Sequence, residues 1–251
     1  MDKYYQNVIK TACVTVEAVK FPNRTWLMAG NLYKPQTAKE GPYTAIVIGH
    51  PSGGVKEQTA GVYAALLAKK GFLTLTFDAS YQGESGGEPR YLEDPQARVE
   101  DMRCAVDYLT TRKDVNPEKI AIMGMCASGG FAVQAAQTDV RIKAIATVSM
   151  ADLGDLFRNG LGRPQGYQAP LKEVSAQRTR EANGAPTYYS WYVPPTQEEA
   201  EKMKGDYYEG YVYYRVSPAK HPRSENKMLF SRMDSIINFT ALNHVEMCAP
   251  R

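Results

Sequence analysis

The chain has 251 residues, 43% of them hydrophobic, enough to bury one sizeable core. Its 30 Lys and Arg stand against 27 Asp and Glu and never gather into a run of five or six like charges, which excludes a nucleic-acid or membrane-surface footprint and leaves a small molecule as the expected partner. No stretch reaches membrane-spanning length, Met1 to Lys20 lack the apolar block of a secretory signal, and the cysteines at 13, 104, 126 and 248 have neither zinc spacing nor a disulfide framework, so a cytoplasmic protein with reduced thiols and no metal is expected.

Val14, Val16 and Ala18 alternate with Thr15 and Glu17, Pro22-Asn23 offers a turn, and Trp26 to Tyr33 follows, so the chain is expected to open on a β-hairpin that ends at Lys34-Pro35. Tyr43 to Ile48, Phe72 to Phe77, Ile120 to Met123 and Ile142 to Val148 are short apolar runs without polar alternation, the pattern of strands covered on both faces of a parallel sheet. Between them the spacing predicts helices over 57–70, closed by Gly71, and over 128–137. A third is capped by Asp94, starts at Pro95 and carries Val99, Met102, Val106 and Leu109 on one face. Residues 1–150 therefore read as a doubly wound, mostly parallel α/β core with right-handed crossovers.

From 151 to 235 the character changes, because nine of the seventeen tyrosines fall there, several in pairs such as Tyr207-Tyr208 and Tyr213-Tyr214. This segment reads as a helical lid insertion, with 236–251 beginning a return to the core. Thr196 and Glu199 form a capping box for a short helix ending at Gly205, and Leu229, Met233, Ile236 and Ile237 share a helical face. The tyrosines either pack the insertion on the core or line an acyl or aromatic pocket.

The chemistry concentrates in Lys119–Gly130, where an apolar strand runs into a tight turn and a helix of small residues. Such a nucleophile elbow needs small residues two before and two after the nucleophile, and it aims a helix N-terminus at that side chain. Cys126 satisfies this with Gly124 and Ser128. Ser128 has small neighbours too, but its register would bury Gly124 and Cys126 inside the strand, so Cys126 is preferred. A thiol there is expected to gain thiolate character, with the N–H of Ala127 as one oxyanion donor. The loop after the first parallel strand, Gly49–Lys56, should face the elbow, and the N–H of Ser52 or Gly53 is the candidate second donor. His50 either orients that loop or approaches the thiolate. Asp78 is expected to cap N–H groups in the next loop, where Tyr81, like His50 and Ser128, is a candidate for lining the site.

Taken together, Gly49–Gln58, Phe77–Arg90 and Gly124–Phe131 resemble the α/β-hydrolase superfamily, and more narrowly the dienelactone-hydrolase-like and polyketide-transferase-type enzymes. The resemblance implies cleavage or transfer of an ester, lactone or thioester through an acyl-enzyme on Cys126, with a small-molecule acyl substrate and no cofactor. It also implies a triad acid and histidine after a seventh and an eighth strand, which are expected to be missing from this chain. Of the histidines downstream of the elbow, His221 reads as an exposed loop residue and His244 precedes the expected strand. Hydrolysis, acyl transfer and a catalytically silent ligand-binding scaffold all stay open. The strand over 142–148 would then be an edge, expected to be covered by the insertion or by a second copy in a homo-oligomer, or else prone to aggregation.

Overall fold

The computed structural model describes residues 3–36, 41–160 and 166–249. The element order is α1 (Lys3–Ala12), β1 (Val14–Asn23), β2 (Trp26–Pro35), β3 (Tyr43–Gly49), α2 (Thr59–Lys69), β4 (Leu73–Phe77), α3 (Pro95–Thr110), β5 (Val115–Met125), α4 (Ala127–Thr138) and β6 (Ile142–Val148). Among the described residues these strands form one six-stranded sheet in the order β1-β2-β4-β3-β5-β6, antiparallel at the hairpin side and parallel from β4 to β6.

The period-2 alternation of each strand sorts the two faces. Ala45 and Val47 of β3, with Ile120 and Ile122 of β5, pack under α3 and α4 with Val99, Met102 and Phe131. Ile46, Ile48, Met123 and Met125 face the other way, onto α1 and the alanine-rich side of α2. The cap of α3 is as expected: Asp94 accepts from the N–H groups of Gln96 and Ala97, with Pro95 at the first position.

Three expectations need correction. The chain opens on α1, not on the hairpin, and the spacing of Tyr5, Val8, Ile9 and Ala12 is the helical period that specifies it. The hairpin turns after Asn23, which pairs with Trp26, so Pro22-Asn23 lie inside β1. Leu229 belongs to a strand rather than to the helix that follows it.

The insertion continues with α5 (Leu153–Asn159), α6 (Gln168–Ala182), β7 (Tyr189–Trp191), α7 (Gln197–Met203), α8 (Gly205–Tyr211) running into a π-helical turn (Val212–Val216), β8 (Lys227–Leu229) and α9 (Met233–Ile237). Thr196 accepts from the N–H of Glu199 as the capping box requires. β7 and β8 pair as a small antiparallel ribbon. After α9, the carbonyls of Thr240 and Ala241 accept from Gln134 and Gln137 of α4, which returns the chain to the core. Residues 161–165 of the expected lid and the last two residues lie outside the described residues.

The insertion does not cover the free side of β6. Lys143, Ala144, Ala146 and Thr147 are exposed there, so of the expected covers the insertion is set aside: it packs over the loops at the carboxyl ends of the strands instead. Among the described residues no helix is long and apolar enough to cross a membrane.

Candidate active site

β3 and β5 are parallel neighbours with Gly49 level with Gly124, so the loops that follow them leave the sheet at the same height. At the end of β5 the backbone turns through Cys126 with φ 53° and ψ −123°, a strained conformation for a residue with a side chain, and α4 begins at the next residue. A Cβ on Gly124 would lie 2.0 Å from the carbonyl oxygen of Ser128, so strand and helix pass at a distance only glycine permits. Cys126 occupies the strained turn, whereas Ser128 is fully buried inside α4.

Cys126 is exposed. The N–H of Ala127 donates to its sulfur, as the helix N-terminus dictates. The expected thiolate character is nevertheless reversed: burial of the sulfur raises the thiol pKa, the Glu93 carboxylate adds to the rise, and the Ala127 N–H and Arg98 only partly oppose it.

The facing loop is tied to the elbow from beneath. The hydroxyl of Ser128 donates to the carbonyl of His50, and Arg98 of α3 donates to both, at 3.0 Å to that carbonyl and 2.9 Å to the hydroxyl. Gly53 takes φ +71°, and its carbonyl is held by Ser224 (2.6 Å) and Asn226 (2.9 Å) of the insertion. The Ser52 hydroxyl is buried beside Tyr192.

His50 takes the orienting role of its two alternatives. Its Nδ1 lies 2.7 Å from the Pro51 carbonyl and its Nε2 accepts from the N–H of Ala79 at 3.1 Å, which fixes a neutral tautomer. Burial, with Arg98 nearby, lowers its pKa to about 3. Tyr81 turns its ring to Trp26, 5.4 Å between centroids, and against Gly87. Asp78 accepts from the N–H groups of Lys56 and Glu84 as expected, and also from the Lys56 ammonium.

The reading of His221 as exposed is overturned: it is 6% exposed, with Nε2 4.0 Å from Glu57. His244 is exposed beside Glu246.

Sequence reading missed the polar group behind the thiol. Glu93 is buried, 3.6 Å from Arg98 Nε, and accepts from Tyr192 at 2.8 Å and Gln82 at 2.9 Å. Arg98 also stacks over Phe131. A signal for it existed, since Arg98 precedes Met102 by one helical turn and so falls on the apolar stripe of α3. From the insertion, the half-buried Tyr214 comes close enough to Cys126 to feel its charge, and burial foremost raises the Tyr214 pKa.

Residues 28–149 match the dienelactone hydrolase family. The chain is 39% identical to YcjY of Escherichia coli strain K12 over 86% of this chain and 71% of that protein. It is 35% identical to PA2218 of Pseudomonas aeruginosa over 96% of this chain and 66% of that protein. The crystal structure of PA2218 superposes with a TM-score of 0.84 over 95% of this chain and 75% of that one. Over 54% of this chain and 39% of the relative, it is 34% identical to the thiohydrolase aneE of Aspergillus aculeatus. With that sheet, that elbow and these relatives, the chain belongs to the dienelactone hydrolase family of α/β hydrolases.

Proposed function

We propose that the protein cleaves an ester, lactone or thioester through an acyl-enzyme on Cys126. The observation that carries this reading is the backbone of Cys126, an exposed residue held at φ 53° at the head of α4 with the Ala127 N–H on its sulfur. In the proposed reaction a base takes the thiol proton and sulfur attacks the carbonyl carbon. The oxyanion is held by the N–H of Ala127 and that of Ser52 or Gly53, and collapses to the thioester as the alcohol or thiol leaves with a proton. Water then attacks the acyl-enzyme and returns the thiol. His50, with both ring nitrogens engaged, does not serve as the base, and His244 lies exposed with its Nδ1 3.5 Å from Glu246.

A small activated thioester followed by peptide mass spectrometry tests the reading. An acyl group on the Cys126 peptide, absent in Cys126→Ala, is expected. Saturable binding of the thioester without any adduct would leave a ligand-binding scaffold as the better account.

Tyr214 beside the thiol supports a second reading, in which the lid sheds water and the acyl group passes to an alcohol or amine. The partition of product between hydrolysis and an added alcohol separates the two. The name of the aneE relative, a thiohydrolase, supports hydrolysis of a thioester.

A further inference from the structure

A cavity of about 620 Å³, whose walls do not include Cys126, opens between α1, the β1–β2 hairpin and the His221–Arg223 stretch of the insertion. That volume is ordinary for a small-molecule pocket. One wall is apolar, with Ile9 from α1 and Val16 and Ala18 from a single face of β1. The opposite wall carries Glu57, Glu84 and Arg223.

The charges of that second wall do not balance. Lys56 Nζ lies 3.0 Å from Glu57 Oε1, 2.8 Å from Asp78 Oδ2 and 2.5 Å from Glu84 Oε2. Arg223 lies 2.6 Å from Glu57 Oε1 and 3.2 Å from Glu84 Oε1. Three carboxylates therefore share two cations. His221 does not restore the balance: its Nδ1 accepts from the N–H of Arg223, its Nε2 stops 4.0 Å short of Glu57 Oε2, and burial keeps its pKa below the ordinary value. Glu57 Oε2 is left buried with no hydrogen-bond partner among the described residues. Nor, among those residues, do three or more His, Cys, Asp or Glu side chains stand where they could hold a metal ion, which leaves an organic cation. Arg223 Nε is a buried donor without a partner, so an anion is the competing ligand, and the excess of carboxylate decides against it.

We propose that this cavity binds a small primary alkylammonium compound, its charged head donating to Glu57 Oε2 and its hydrocarbon body lying on Ile9, Val16 and Ala18. Calorimetric titration of the full chain with hexylammonium, 1-hexanol and hexanoate, with amide shifts to locate the site, tests it. Hexylammonium is expected to saturate one site at least tenfold more tightly than hexanol, with hexanoate failing to saturate and with shifts at Val16, Ala18 and Glu57. Ala18→Phe fills the cavity from an exposed strand position and leaves the ion pairs alone, so it is expected to weaken hexylammonium more than tenfold at unchanged Tm. Glu57→Gln should bring hexylammonium and hexanol within about twofold of each other, and if that variant does not fold the charge series and Ala18→Phe decide. Equal affinity for hexanol, tighter binding of hexanoate, no saturation, or indifference to Ala18→Phe overturns the proposal.

Discussion

The hydroxyl of Ser128 donates to the main-chain carbonyl of His50, and this buried bond fastens the helix behind Cys126 to the loop that carries Ser52 and Gly53. Arg98 contacts both partners, so the two single substitutions are expected to differ. Ser128→Ala removes two hydrogen bonds, one to the His50 carbonyl and one from Arg98, but leaves Arg98 on that carbonyl, a loss of about 1–2 kcal/mol. Arg98→Met keeps the Ser128 bond to His50 but takes the cation away from the buried Glu93 carboxylate, a loss of roughly 3–5 kcal/mol. Urea midpoints of the two variants check the order, and a Ser128→Ala loss as large as that of Arg98→Met would contradict it.

Gly124→Ala is expected to prevent formation of the elbow, because the new methyl would meet backbone of α4 rather than a side chain that could move. Gly71→Ala is the control, with φ +97° but nothing within 4 Å of its Cβ, and is expected to cost only about 1 kcal/mol of backbone strain. Circular dichroism and thermal melts of both proteins distinguish close approach from conformation as the reason for glycine at the elbow.

The thiol of Cys126 is expected to titrate above the ordinary 9.0, so its alkylation by iodoacetamide should still be climbing at pH 9. Because Glu93 raises this pKa and Arg98 lowers it, Glu93→Gln should speed labelling at pH 7 and Arg98→Met should slow it. Peptide-resolved labelling rates read both effects. Unchanged rates in Glu93→Gln would mean that the carboxylate does not act on the sulfur.

Asp101 is fully buried and accepts from Asn23, from the Ser80 hydroxyl and from the Ser80 N–H. Burial raises its pKa to about 6 from an ordinary 3.8, with those hydrogen bonds opposing. The folded state therefore holds the proton more tightly than the unfolded chain. Its contribution to stability is complete below about pH 4 and is lost as the pH rises through about 6, to the extent of roughly 3 kcal/mol. Chemical unfolding between pH 4 and 7 should show that decline, and Asp101→Asn should flatten it.

β6 presents its free edge with exposed Lys143, Ala144, Ala146 and Thr147. The amides on that edge are expected to exchange hydrogen fast in a monomer and slowly in an associated form. Hydrogen exchange read alongside light scattering at several concentrations checks this. A monomer with a protected edge would require cover from elsewhere.

How much of this could be read from the sequence depended on how local each cause is. Strands buried on both faces announce themselves as apolar runs, and the elbow is legible because its demand for small residues at Gly124 and Ser128 acts within five positions. α1 was equally legible from Tyr5, Val8, Ile9 and Ala12, but a reading that begins at Val14 passes over it. The direction of the Cys126 shift was not legible. A helix N-terminus is visible in sequence, whereas the burial that outweighs it and the Glu93 charge that adds to it depend on parts of the chain more than 30 residues away. Which of the nine insertion tyrosines reaches the thiol depends likewise on the path of a long segment, not on spacing.

Gly49 and Gly124 stand level in the parallel ladder of β3 and β5, so the distance between the sulfur and the facing amides is set by the spacing of two adjacent strands. The insertion meets the loops that follow these strands through Ser224 and Asn226 on Gly53, through Tyr192 on Glu93 and through Tyr214 near Cys126. On the proposed acyl-enzyme reading, Cys126 and the Ala127 N–H belong to the sheet and α4, while the insertion also steadies the loop of the second donor. Reshaping residues 151–235 would, on that reading, change which acyl group is admitted while Cys126 and the Ala127 N–H keep their mutual geometry, and one scaffold can in this way pass from one substrate to another without rebuilding its chemistry.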